Sequence, residues 1–64
     1  MIEIIIFDPA MRRLDTATAA TAEDALYAGR VLYDEATDGR LTGHHHVGFF
    51  VDGKLAQLTE GRPS

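Results

Sequence analysis

Hydrophobic residues are spaced along this chain in ways that predict its elements one after another. Ile2 to Phe7 is a β-branched and aromatic run that stops at Asp8-Pro9, the signature of a strand closed by a turn. Ile2, Ile4 and Ile6 fall on one face of that strand, and Ile5 and Phe7 on the other, with Glu3 the one polar residue inside the run. A strand that is apolar on both faces is ordinarily covered on both. From Arg12 to Ala19 the pattern alternates more loosely around Leu14, Asp15, Thr16 and Thr18, and threonine favours a second strand. Asp8 to Met11 then becomes a hairpin loop.

After Thr21 the period changes. Ala22, Ala25, Leu26, Gly29, Leu32, Tyr33 and Ala36 recur every three or four residues and form one helical stripe. Thr21-Ala22-Glu23-Asp24 reads as a capping box, with two acids at the positive end of the helix dipole. Gly29 sits within the stripe, where a close approach to a neighbouring element is the expected reason for it. Asp38-Gly39 ends the helix by Thr37.

Asp52-Gly53 marks a two-residue hairpin turn between Val47–Val51 and Lys54–Leu58. Pairing Val51 with Lys54 places Val47, Phe49, Val51, Ala56 and Leu58 on the core face. Phe50 and Leu55 fall on the opposite face as a cross-strand apolar pair. The expected fold class is α+β: a small two-layer domain in ββαββ order, with a four-stranded, mostly antiparallel sheet and one helix on one face. Residues 1–60 make this single domain, and 61–64 are expected to fray.

Length and composition sharpen the picture in one respect. With 64 residues the chain has room for one core, and a domain of this size buries only roughly 60% of the surface its unfolded chain exposes. There is no cysteine, so neither disulfides nor thiolate zinc sites supplement that core. One helix covers one face of a sheet. The surplus apolar residues Ile5, Phe7, Phe50 and Leu55, together with Tyr27 off the helical stripe, are therefore the expected interface of a homo-oligomer, most simply a dimer.

Net charge is −4, which works against broad attraction to nucleic acid or anionic membrane. No apolar run approaches the roughly 20 residues of a membrane span, and Met1 to Asp8 lacks the basic start of a secretory leader. A cytoplasmic location is expected. Five of the six basic residues are arginine and asparagine is absent, a coding bias of high-GC bacterial or phage genomes.

Chemistry-bearing residues are few. His44 and His46 project to one side of an extended segment and can ligate a divalent metal, with Asp38, or Asp34 or Glu35, as a carboxylate ligand. The plain reading of the histidine string is a solvated strand entrance, with no cofactor. Asp34, Glu35 and Asp38 crowd the negative end of the helix dipole, where Arg30 and Arg40 are expected to relieve them. Arg12 and Arg13 form the one adjacent basic pair, a candidate contact for phosphate or for a carboxylate on a partner. The only serine is Ser64, at the terminus, which excludes a serine triad, and no glycine-rich phosphate loop precedes the helix. The leading expectation is a small non-catalytic interaction or regulatory module acting as a homo-oligomer. Its alternatives are a metal-binding protein through His44 and His46, and a nucleic-acid-binding dimer through Arg12 and Arg13.

Overall fold

A computed structural model describes residues 1–39 and 44–64. The elements run β1 (Ile2–Phe7), β2 (Arg13–Ala19), α1 (Ala22–Thr37), β3 (His46–Val51) and β4 (Lys54–Glu60). The four strands form one sheet in the order β2-β1-β3-β4, and all three ladders are antiparallel. The fold is the expected α+β arrangement in ββαββ order.

The local signals act as their chemistry dictates. Thr21 is the N-cap of α1, and its Oγ1 accepts a hydrogen bond from the Asp24 N–H at 3.1 Å. At the other end Asp38 turns left-handed, and the Gly39 N–H donates to the Asp34 carbonyl at 2.9 Å. Asp52 and Gly53 take φ of 52° and 78°, the positive pair that a type I′ turn needs.

Ile4, Ile6, Val47, Ala25, Leu32 and Tyr33 are buried together between sheet and helix, with Ile2, Ala17, Ala19, Ala28 and Phe49 packed around them. The helix sits off-centre. It lies over β1 and β2, touches β3 and does not reach β4. Gly29 permits the contact with β3: a Cβ there would lie 3.0 Å from the Phe49 ring.

The C-terminal residues fill part of the space that the helix leaves. Residues 61–64, expected to fray, are docked instead. Gly61 turns the chain at φ 85°, and its N–H donates to the His45 carbonyl at 2.7 Å. Arg62 then clasps the Asp34 carboxylate through Nε and Nη2 at 3.0 and 3.1 Å. Pro63 is buried against Gly29, and its carbonyl accepts from Arg30 Nε at 3.0 Å. Relief of the acidic helix end thus comes from Arg62, 28 residues away, while Arg30 is turned to the tail. Arg40, the other residue expected there, lies outside the described residues.

Candidate protein-interaction surface

Strand register defines the sheet face turned away from the helix. Partners across a ladder share a face, and β1 sets the parity. With Ile2, Ile4 and Ile6 toward the helix, Glu3, Ile5 and Phe7 face away. Reading across β2, β1, β3 and β4 gives three rows. The first is Arg13, Phe7, His46, Glu60. The second is Thr16, Ile5, Gly48, Leu58, and the third Thr18, Glu3, Phe50, Leu55.

Leu58 belongs to this outer face, and not to the core face expected from strict alternation. The reason is a β-bulge. Phe50 pairs with Leu55 but Phe49 pairs with Gln57, so Ala56 is an extra residue and every later side chain changes face. Ala56 and Gln57 both turn toward the helix side. A matching irregularity in β2 leaves Leu14 unpaired between Asp15, opposite Ile6, and Arg13, opposite Phe7.

Gly48 lies at the centre of the face, and two aromatic rings close over it. A Cβ on Gly48 would meet Phe50 Cε1 at 2.8 Å and Phe7 Cε2 at 3.1 Å. Ile5, its neighbour on β1, is only 5% exposed. Ile5, expected to be left uncovered, is thus buried. Leu55 and Leu58 remain 52% and 44% exposed. With the half-buried Phe7 and Phe50 they form the apolar part of this surface.

Tyr27, grouped with Phe50 and Leu55 in the sequence, is 69% exposed on the helix, across the sheet from them. It cannot share one flat contact surface with the outer face. A separate groove of about 560 Å³ opens between the first half of α1 and β3–β4, lined by Ala25, Leu26, Phe49, Val51, Ala56 and Pro63. It is the space beyond the off-centre helix, partly occupied by the docked tail.

The remaining sequence candidates are dispersed. Arg12 is engaged within its loop, where Nε donates to Asp8 Oδ2 at 2.7 Å. Asp8 Oδ1 also accepts from the N–H groups of Ala10 and Arg12 at 2.9 and 2.8 Å. The backbone hydrogen bond from Arg12, aided by its guanidinium, holds the Asp8 carboxyl below its ordinary range. The Arg62 fork does the same for Asp34. Arg13 stands apart from Arg12 on the outer face and, among the described residues, has no ion-pair partner.

His46 Nε2 lies 3.8 Å from Glu60 Oε2 on the outer face. His45 packs edge-on against Tyr33, with ring centroids 6.2 Å apart. His44 is exposed, as is Asp38 at the helix C-cap. Among the described residues no three histidine, aspartate or glutamate side chains come together in a group able to hold a metal ion. Nor, among them, is any helix long and apolar enough to cross a membrane.

Sequence reasoning missed Leu58 and Arg13 as members of this face, whereas alternation along β3 puts Gly48 there beside Phe50. The extra residue that places Leu58 and Arg13 there becomes visible only when each strand is set against its partner. Comparison with protein-family models, curated proteins and solved structures returns no match, so the surface is interpreted from its own residues.

Proposed function

We propose that this protein is a small non-catalytic interaction module that works as a homo-oligomer, in a bacterial or phage setting, with the outer sheet face as its contact surface. One observation carries the reading. Phe7, Phe50, Leu55 and Leu58 form an apolar cluster on the face that the single helix cannot cover, and two of the four are about half exposed. Antiparallel sheets tolerate water on one face when that face is polar. Here Phe7, Ile5, Phe50, Leu55 and Leu58 adjoin one another across β1, β3 and β4, the composition of a buried interface centre. A rim of Arg13, Thr16, Thr18, Glu3 and Glu60 surrounds the cluster, as polar residues ring a contact patch.

Concentration-dependent amide chemical shifts test the proposal. Between about 10 µM and 1 mM the reading expects changes at Phe7, Gly48, Phe50, Leu55 and Leu58, with residues on the exposed side of α1, Tyr27 and Val31, unmoved. Shifts confined to α1, or none at all, would count against it.

A further inference from the structure

We infer that the second copy packs face to face on the outer sheet about a two-fold axis parallel to the strands, so that Arg13 of each copy meets Glu60 of the other. This rests on the proposed contact face and adds to it an orientation and a set of opposed residues.

Edge pairing is the other way for two sheets to join, and both edges are blunted. The edge strand β2 carries its extra residue at Leu14, and the edge strand β4 carries its own at Ala56. Bulges on edge strands kink the row of free N–H and C=O groups and oppose addition of another strand. Leu55 and Leu58, although on the edge strand β4, belong by register to the outer face with Phe7 and Phe50. Stacked sheets packing at about 10 Å, nearly aligned, bury such a face directly.

Charge selects the axis. In the row Arg13, Phe7, His46, Glu60, positive charge stands at one edge of the sheet and negative charge at the other. A two-fold axis along the strands, between β1 and β3, lays β2 of one copy over β4 of the next. Arg13 then opposes Glu60 twice, once at each edge, while Ile5 opposes Gly48, and Thr16 and Thr18 oppose Leu58 and Leu55. An in-plane axis perpendicular to the strands instead lays the first row over the third. Glu60 then opposes Leu55 and Arg13 opposes Thr18, so neither charge has a counter-charge directly opposite. Glu3 opposes a phenylalanine in either arrangement, so it does not discriminate. It lies one residue from the start of β1, in the last of the three rows. Charge pairs of this kind set register and orientation more than raw affinity.

Arg13→Glu and Glu60→Arg, separately and mixed, test the orientation by native mass spectrometry with isotope-labelled chains. Each single variant places like charges at both contacts, and its homodimer should weaken by about tenfold. Mixed one to one, the two variants should form a heterodimer in preference to either homodimer. Each contact then regains opposite charges. The double variant Arg13→Glu/Glu60→Arg should recover the wild-type homodimer affinity. Circular dichroism of each variant establishes that it is folded, and both positions are exposed edge residues. A wild-type dimer whose affinity is unchanged in both single variants, with a statistical mixture of species, would overturn this orientation while leaving the contact face in place. A wild-type protein that is monomeric throughout would overturn both.

Discussion

The Phe50 ring lies across Gly48 so closely that a Cβ at position 48 would stand 2.8 Å from Cε1. The Phe7 ring approaches the same point from β1, at 3.1 Å. A side chain at position 48 must displace both rings, although strands otherwise favour β-branched residues over glycine. Gly48→Val is therefore expected to destabilise the fold by about 1–3 kcal/mol, the usual cost of overpacking. Urea unfolding measures it. A gain in stability would mean that the rings part without cost.

A pair of leucine substitutions separates folding from contact. Leu32 is buried in the core, and Leu32→Ala should cost about 2–5 kcal/mol, enough to unfold much of so small a domain. Leu55 projects from the outer face, and Leu55→Ser should leave chain stability within about 1 kcal/mol while weakening self-association. Chemical denaturation at low protein concentration, where the monomer dominates, distinguishes the two. Equal losses would place Leu55 in the core.

The first hairpin loop holds a strained residue. Met11 sits at φ 65°, a left-handed conformation that costs a non-glycine residue roughly 1–2 kcal/mol. The Asp8 carboxylate, with three hydrogen bonds to Ala10 and Arg12, fixes the loop in that form. Met11→Gly should stabilise the protein by about 1 kcal/mol, net of the entropy that glycine adds to the unfolded chain. A drop in melting temperature would refute the strain.

Stability should also fall in acid, with a defined sign. The folded pKa values of Asp8 and Asp34 lie below the ordinary 3.8. A depressed carboxylate contributes its full stabilisation above the unfolded pKa and loses it as pH falls through the folded value. Melting temperature should thus begin to decline as pH drops below about 5 and continue downward past 3.8. Asp8→Asn and Asp34→Asn should each flatten that decline. An undiminished decline in the double variant would assign the acid sensitivity to other groups.

Much of the architecture could be read from local pattern because its causes are local. The β-branched run of β1, the Thr21 cap and the Asp52-Gly53 turn each act over a few residues, and each lies where its chemistry puts it. The departures come from causes that are not local. Leu58 changes face because of one extra residue against β3, and its own neighbours look like an uninterrupted strand. Residues 61–64 have the composition of a loose end, yet Arg62 finds Asp34 far back in the sequence and Pro63 fills the space beside Gly29. Ile5 falls on the outer face by alternation alone, but alternation does not show that it is buried there. Phe7, Phe50 and Leu55 were legible as surplus apolar residues. Tyr27 was not separable from them until the helix was seen on the other side of the sheet.

Sedimentation equilibrium of the wild-type chain and of Leu55→Glu, between about 1 and 100 µM, tests the contact face most directly. The wild type should approach twice the 7.0 kDa chain mass as concentration rises, while Leu55→Glu, folded by circular dichroism, should remain at the mass of one chain. A wild type at 7.0 kDa throughout, or a Leu55→Glu variant that associates as the wild type does, would contradict the claim that this sheet face holds a second copy.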